Sequence, residues 1–242
     1  MRYFLRISYQ GTHYHGWQYQ SNAISIQEII ESKINILLKG KYSIVGSSRT
    51  DAGVHAENQC AHIDINYDIN IQNLKYRLNS MLPNDISIND IHPVKYDMHA
   101  RFSAKSRLYH YNIIQIKNPF VTSISYRYFN NLDFDLLNKT AEIIKNTRDF
   151  KSFSKLGTIS AHGYDCEIFE SYWIHNDNQY IYIIKANRFL RGMVRALVNN
   201  MLYVGCGKIS LDRFVTIVNS RDRSKSLGLA PANGLVLKDV YY

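Results

Sequence analysis

The chain has 242 residues, with 29 Lys and Arg against 20 Asp and Glu, so its formal net charge is +9. This length can bury one large domain or two modest ones without disulfide bonds, and the positive charge favours polyanionic partners such as nucleic acids. Three widely spaced cysteines indicate neither a disulfide framework nor a zinc ribbon, and they favour a reducing cytoplasm. No apolar stretch approaches membrane-spanning length and the N-terminus lacks a signal peptide, so neither secretion nor a membrane partner is expected.

Strand and helix signals alternate along the first hundred residues. Apolar residues from Tyr3 to Tyr9 alternate with polar ones, which predicts a strand with one buried face. Ser25 and Glu28 have the spacing of a capping box and precede an apolar stripe, so a helix should begin there and end at Gly40. The same signals predict a strand over residues 42–45, an extended segment through 59–65, a helix over 71–81 and a strand over 86–88.

The second half repeats this alternation and ends in a long apolar helix. Leu190 to Leu202 carry apolar side chains at helical spacing, and glycines at 205 and 207 supply a stop. These patterns predict an α+β fold of two similar α/β halves with mostly antiparallel sheets packed by helices, divided into residues 1–102 and 103–242. The other predicted elements of this half are strands over 108–116, 168–174 and 180–186 and a helix over 136–144.

A polar loop over residues 46–56 carries the most distinctive chemistry. It combines glycines and small hydroxyl residues with one cation, Arg49, and one central carboxylate, Asp51. This composition lets backbone approach a ligand while a fixed turn presents the carboxylate. On its own, such a loop is more often structural than catalytic.

Three other segments combine cations with aromatic or turn-forming residues. In 98–111, aromatic side chains alternate with cations, a pattern that suits base stacking and phosphate binding, although strand aromatics are more often core. In 187–198, arginines at 188, 191 and 195 are three and four residues apart, so they form a basic ridge if the helix begins this early. Such a ridge is usually a solvated face, but Arg195 can alternatively reach a buried carboxylate such as Asp51. Residues 229–237 read as a turn entering a strand.

Together, in this order and at these separations, the four segments resemble the TruA family of pseudouridine synthases. The most specific block is Gly-x-x-Arg-Thr-Asp-Ala-Gly-Val-His-Ala at 46–56, and the likeness extends from 9–12 to 239–241. The resemblance implies an enzyme that isomerises uridine to pseudouridine in the anticodon stem-loop of tRNA, at nucleotides 38 to 40. It also implies a homodimer with a catalytic cleft between the two halves, using neither a metal nor an organic cofactor.

The resemblance also implies roles for individual residues. Asp51 would be the catalytic residue, and Arg49 would enter the RNA helix where the target uridine has flipped out. Tyr109 would stack on the flipped base, and its hydroxyl would be placed to assist proton removal from C5. Arg195 would pair with Asp51 and keep it ionised. The expected phosphate contacts are Lys105, Arg107, Arg188 and Arg191.

Three departures from the family pattern and two rival functions stay open at this point. Ser48 replaces the usual glycine before Arg49, which would strain the loop if that position needs a positive φ. Asn199 stands where glycine is common, and residues 162–167 are less basic than usual. A non-catalytic RNA-binding protein or RNA chaperone would share the charge and the aromatics, while His13 and His15 prompt a weaker alternative, a metal hydrolase.

Overall fold

A computed structural model describes residues 1–155 and 163–242. Over these residues the fold is mixed α and β, with five α-helices and nine strands whose pairings are mostly antiparallel. The α+β prediction is therefore confirmed. No helix in the described ranges is long and apolar enough to cross a membrane.

The chain divides into two compact units, residues 1–105 with 237–242 and residues 106–236. The sequence placed the boundary between 102 and 103 and gave the whole C-terminus to the second domain. In the structure, the last strand, β9 (Leu235–Tyr241), begins in the second unit's residues and finishes in those of the first. A terminal strand that leaves its own half carries no mark in its local sequence, because alternation is the same for any partner strand.

In the first unit, β1 (Arg2–Tyr9) is the central strand. It pairs antiparallel with β3 (His55–Asp64) on one side and with β4 (Ile86–Val94) on the other, while the short β2 (Val45–Gly46) pairs with β3. The helices of this unit are α1 (Ile26–Leu38) and α2 (Ile71–Met81). Fully buried side chains such as Phe4, Leu5 and Ile7 form its core with Trp17, Ile26, Ile30 and Ile34.

Helix α1 begins as predicted and ends one residue earlier than predicted. Ser25 is the N-cap, and it exchanges both hydrogen bonds of a capping box with Glu28. The left-handed residue at the C-terminus is Lys39, with φ 50°, and not Gly40. A Cβ on Gly40 would lie 2.6 Å from the Tyr42 ring, so the glycine serves the close packing of that ring.

The predicted strand over 42–45 is reduced to the two residues of β2. Side chains of α1 accept hydrogen bonds from backbone N–H groups that would otherwise bond to a partner strand. Asn35 Oδ1 accepts the Tyr42 N–H at 2.6 Å, and Glu31 Oε1 accepts the Ile44 N–H at 2.8 Å. Helix α1 therefore determines the path of the chain towards the Asp51 loop.

In the second unit, β8 (Gln179–Ala186) is the central strand and pairs antiparallel with β5 (Ser106–Ile114) and β7 (Ile168–Asn176). The two-residue β6 (Tyr126–Arg127) pairs parallel with β5. The helices are α3 (Phe134–Lys145), α4 (Met193–Gly205) and α5 (Leu211–Asn219). The largest fully buried side chains of this core are aromatic: Tyr111, Phe150, Phe153, Tyr182 and Phe214.

The start of α4 differs from the expectation of a basic ridge. Gly192 is the N-cap with φ 72°, so Arg188 and Arg191 precede the helix and only Arg195 lies on it. The left-handed glycine ends the preceding segment, whereas the apolar spacing alone extended the helix back to Leu190. The short helix α5 was not predicted, although its N-cap Ser210 accepts the Arg213 N–H.

Candidate active site

The Asp51 loop, residues 47–54, joins β2 to β3, and hydrogen bonds to β3 hold its first half. The Ser47 N–H donates to the Cys60 carbonyl at 2.7 Å, and the Ser47 hydroxyl donates to Gln59 Oε1. The Gln59 amide donates in turn to the Ser48 carbonyl at 3.1 Å. Gln59 is buried, so these bonds form away from water and fix the direction in which the loop leaves the sheet.

Ser48 does not have the backbone conformation that would require glycine. The non-glycine residues with positive φ in the described ranges are Lys39, Asp177 and Arg221. Ser48 is therefore free of the strain that its substitution for glycine suggested. Its hydroxyl also accepts a hydrogen bond from Gln59 Nε2 at 3.4 Å.

Asp51 begins a tight turn in the second half of the loop. The Val54 N–H donates to the Asp51 carbonyl at 3.1 Å, and Gly53 has φ 77°, which suits glycine at this position. The Asp51 side chain is half-buried, while Arg49 two residues earlier is exposed. The loop thus presents its cation to solvent and holds its carboxylate in a partly enclosed position.

Residues 9–17, which precede α1, also support the loop. The Tyr9 hydroxyl lies 2.8 Å from the Thr50 hydroxyl, and the Trp17 N–H donates to the Thr50 carbonyl at 3.2 Å. Gly16 packs so closely that an added Cβ would lie 2.5 Å from the same carbonyl. The backbone on both sides of Asp51 is therefore fixed by contacts from a segment about forty residues away in sequence.

Tyr14 extends this support towards the start of β4. Its carbonyl accepts the Gly53 N–H at 3.3 Å, and its hydroxyl donates to Asp85 Oδ1 at 2.7 Å. Burial and the neighbouring Asp85 carboxylate raise the pKa of Tyr14 above its ordinary value. Sequence reasoning assigned no role to Tyr14 or Gly16, because their contacts join segments that no local pattern relates.

In the second unit, Tyr109 and Tyr111 lie on the same face of β5. Tyr109 pairs with Ile184 of β8, is 7% exposed, and meets Phe189 edge to face at 5.1 Å between ring centroids. The Tyr111 hydroxyl donates to the Pro231 carbonyl at 2.8 Å. Burial raises the pKa of Tyr111, an effect that the positive charge of Arg195 partly opposes.

Arg195 lies in the first turn of α4 and is fixed to the segment that leads into β9. Its Nε donates to the Ala230 carbonyl at 2.7 Å, and the Ala230 N–H donates to the Arg195 carbonyl at 3.0 Å. The side chain is half-buried. Residues 229–237, predicted as a turn entering a strand, thus determine how the Arg195 guanidinium is oriented.

The four predicted phosphate contacts differ in exposure. Lys105 and Arg191 are exposed, and Arg188 is half-buried. Arg107 is 7% exposed, and its Nη1 donates to the Asn187 carbonyl at 2.8 Å, so this guanidinium braces the end of β8. His162, in the segment noted for its weak charge, lies outside the described residues.

Asp51 and Arg49 therefore lie in the first unit, and Tyr109 and Arg195 in the second. Each pair is positioned by contacts within its own unit. In the part of the chain that the structure describes, no three or more His, Cys, Asp or Glu side chains are grouped to hold a metal ion, and this includes the region of His13.

Comparison with known proteins agrees with these features. A family model described as tRNA pseudouridine synthase matches residues 6–103 and 147–242. The chain is 42% identical over 245 residues to tRNA pseudouridine synthase A of Porphyromonas gingivalis, covering 100% of this chain and 97% of the relative. The protein of the same name from Bacteroides fragilis is 42% identical, with 100% and 96% covered, and that from a Thermoanaerobacter species is 38% identical, with 98% and 97% covered. The chain belongs to the tRNA pseudouridine synthase family.

Proposed function

We propose that this protein isomerises uridine to pseudouridine in the anticodon stem-loop of tRNA, at nucleotides 38 to 40, with Asp51 as the catalytic residue. As a member of the tRNA pseudouridine synthases it is an isomerase that acts on tRNA uridine. The observation that carries the proposal is the Asp51 loop. A half-buried carboxylate stands on a turn whose backbone is fixed from two sides, by β3 and by residues 9–17.

The reaction itself explains why such a fixed carboxylate is useful. The bond from C1′ to N1 breaks, the uracil turns, and C1′ joins C5. The C5 proton then leaves while N1 gains one, so that the product is an isomer of the substrate. The base is detached midway and must be held in a closed site. A carboxylate at the sugar can attack C1′, stabilise positive charge there or take the 2′ proton.

In this proposal Asp51 acts on the sugar, and Arg195 is the cation that pairs with it. The bond from Arg195 Nε to the Ala230 carbonyl supports that role, because it fixes one edge of the guanidinium and orients the rest. Arg195→Lys keeps the charge and loses this geometry, so it should retain only part of the activity.

Tyr109 stacks on the uracil and assists removal of the C5 proton through its hydroxyl. Its ring is held edge to face by Phe189, which leaves its orientation well defined. Tyr109→Phe should separate the two roles, because stacking persists without the hydroxyl. If Tyr109→Phe keeps full activity, proton transfer by this residue is excluded.

Arg49 enters the RNA helix in place of the flipped uridine, and basic side chains hold the phosphates. The exposure of Arg49 supports its role, as does that of Lys105 and Arg191. A footprint of about 6–10 phosphate contacts weakens binding by roughly 10³–10⁵ between 50 and 200 mM salt. Arg107 contributes by donating a hydrogen bond to the Asn187 carbonyl. Arg188, which is half-buried, is the remaining proposed phosphate contact.

The test uses tRNA transcripts labelled with tritium at uridine C5, since isomerisation releases that hydrogen. Wild type should release tritium from a tRNA with uridines at 38 to 40 and should not when all three are cytidine. Asp51→Asn should release none. Asp68→Asn, which changes an exposed carboxylate of the same unit, should match wild type.

If neither wild type nor any variant releases tritium although each binds tRNA, the protein is a non-catalytic RNA-binding protein or an RNA chaperone. Equal release by wild type and Asp51→Asn removes Asp51 from the mechanism. Release that persists without uridines at 38 to 40 places the target elsewhere in the tRNA.

The proposal includes a homodimer that works in the cytoplasm. The dimer follows from the family resemblance, and light scattering of the purified protein tests it: a mass of one chain contradicts it. The three free cysteines, two of them buried, suit a reducing compartment, and fluorescent tagging in cells tests that location.

A further inference from the structure

Two aromatic side chains of the first unit are unusually exposed. Tyr96 and Phe102 are each 73% exposed, and they lie on the two consecutive turns that connect β4 to β5. Apolar side chains that are exposed together on one part of a surface often mark a binding site, whereas single ones are common. Neither residue has a part in the reaction described above.

Each of these rings is accompanied by a guanidinium group. The Arg2 guanidinium lies 4.9 Å from the Tyr96 ring centroid, and that of Arg101 lies 5.5 Å from the Phe102 ring centroid. Arg2 is fixed by two bonds to Asp64, of 2.8 and 2.7 Å, and by a third to the Met98 carbonyl. The Tyr96 turn is therefore held to β1 and β3 through Arg2.

The turn that carries Phe102 is held by His99. The Nδ1 atom of His99 accepts the backbone N–H groups of Arg101 at 3.1 Å and of Phe102 at 3.2 Å. The backbone N–H of His99 donates to the Ser103 hydroxyl at 2.9 Å. The His99 ring also lies 4.4 Å from the Phe102 ring. The exposed phenyl group is thus preorganised by local bonds.

A second histidine, His62 on β3, contacts the same turn. His62 Nδ1 accepts the Ala100 N–H at 3.2 Å, and its ring lies 4.6 Å from that of His99. Burial and the charge of Arg2 lower the pKa of His62 to about 4, so the ring is neutral at pH 7 and its Nδ1 stays an acceptor. The Tyr242 hydroxyl donates to the Ala100 carbonyl at 2.6 Å and completes the support.

We propose that this surface, here called the aromatic platform, is a second RNA-binding site, at which unpaired bases stack on Phe102 and Tyr96 while Arg101 meets a phosphate. The platform comprises Arg2, Tyr96, His99, Arg101 and Phe102. The inference rests on the proposed function for the identity of the RNA as tRNA. It adds a site for nucleotides other than the reacting uridine.

Charge and chemistry favour RNA over a protein partner. The chain carries a net charge of +9, and the residues on and next to the platform include Arg2, Lys95, Arg101 and Lys105 against Asp64 and Asp97. An aromatic ring next to a guanidinium is the arrangement on which bases stack irrespective of their identity, while the cation attracts the phosphate backbone. An apolar protein partner would bury these cations without bringing opposite charges of its own.

The test compares tRNA dissociation constants of Phe102→Ala and Tyr96→Ala with that of a matched control, Tyr76→Ala. Tyr76 is also 73% exposed and belongs to the same unit, but it lies on α2 and not on either of these two turns. Each platform variant should bind tRNA about 5- to 150-fold more weakly, whereas Tyr76→Ala binds as wild type does. Turnover at saturating tRNA should match wild type for all three.

Two further variants separate stacking from charge. Phe102→Trp should retain wild-type affinity, because the larger ring still stacks. Arg101→Gln should lower the slope of log affinity against log salt by about one, while Phe102→Ala leaves the slope unchanged.

Equal affinities for Phe102→Ala and Tyr76→Ala would overturn the proposal. A changed oligomeric state of Phe102→Ala with unchanged tRNA affinity would also overturn it. That result would mean that the platform is a contact between copies of the chain. Tritium release by wild type is measured in parallel. If wild type releases tritium, an unchanged affinity defeats the platform alone; if wild type releases none, the proposed function fails.

Discussion

The Asp51 loop and the segment that holds Arg195 are positioned in different ways. Around Asp51 the loop is fixed mainly by backbone packed against backbone, with Gly16 so close to the Thr50 carbonyl that no Cβ fits. The segment over residues 226–230 is fixed by side-chain hydrogen bonds from α4. Arg195 donates to Ala230, and Asn199 and Asn200 bond to Leu227 and Ser226.

The difference indicates which kind of substitution each region tolerates. A loop held by steric contact is sensitive to one added methyl group and insensitive to most changes of its exposed side chains. A segment held by amide and guanidinium groups tolerates changes of volume better than the loss of a donor. The carboxylate proposed as catalytic and its proposed cationic partner are thus positioned by independent means, which the following variants test.

The largest effect is expected from Gly16→Ala. The added Cβ would lie 2.5 Å from the Thr50 carbonyl oxygen, and φ at Gly16 is +91°, so the change should cost about 2–5 kcal/mol of unfolding free energy. Gly207→Ala is the control, since φ there is +73° and nothing lies within 4 Å of the new Cβ. Denaturant unfolding should show at most about 1–2 kcal/mol for this control. Equal losses would show that steric contact does not hold the loop.

Asn200→Ala should give the next largest effect, about 2–3 kcal/mol. The buried amide donates to Ala196 at 2.7 Å and to Ser226 at 2.9 Å, and accepts the Leu227 N–H at 3.2 Å, so the variant leaves buried groups unpaired. Asn219→Ala on α5 changes an exposed asparagine and should stay within about 0.5 kcal/mol. A loss in Asn200→Ala no greater than this control would contradict a segment held by hydrogen bonds.

Acidification should lower the unfolding free energy through His62 of the first unit. The hydrogen bonds that hold residues 226–230 involve amide and guanidinium groups, which do not titrate between pH 7 and pH 5. The folded-state pKa of His62 is about 4, below its ordinary 6.5. Its contribution is therefore present above pH 6.5 and lost as pH falls towards 4, by about 2 kcal/mol at pH 5. The difference between wild type and His62→Asn, whose Oδ1 can still accept the Ala100 N–H, should show this loss in unfolding curves at pH 7 and pH 5. A difference that stays constant with pH would contradict the assignment.

The smallest effect should be a gain in stability from Lys39→Gly. Lys39 has φ 50° at the end of α1, and glycine removes the cost of that conformation, about 1 kcal/mol. The thermal midpoint should rise for Lys39→Gly and fall slightly or stay the same for Lys41→Gly, where φ is not positive. A fall in both variants would mean that the Lys39 side chain stabilises the turn more than its backbone strains it.

The sequence predicted elements well where local physics determines them. The capping box of Ser25 and the alternation of β1 are short-range signals; the first gave the observed start of α1, and the second gave the observed end of β1 at Tyr9. Predictions were wrong where a distant side chain or a left-handed backbone conformation intervened. The asparagine and glutamate of α1 take the backbone of residues 42–44, and the left-handed Gly192 delays the start of α4.

For the candidate site, the motif around Asp51 could be read from the sequence, but the contacts that hold the loop in place could not. The motif around Asp51 gave the family, which the comparisons confirm. The strain expected at Ser48 was absent, since only the backbone conformation decides whether glycine is needed there. The packing of Gly16 against Thr50 joins distant segments, and no pattern within either segment predicts it.

The central claim is that Asp51 performs the chemistry and does not merely bind RNA. Its most direct test is the single-turnover rate of pseudouridine formation with excess enzyme and saturating tRNA. Asp51→Asn should be at least about 10³-fold slower than wild type while its tRNA dissociation constant is unchanged, and Asp68→Asn should react at the wild-type rate. An Asp51→Asn rate within about tenfold of wild type would contradict the account.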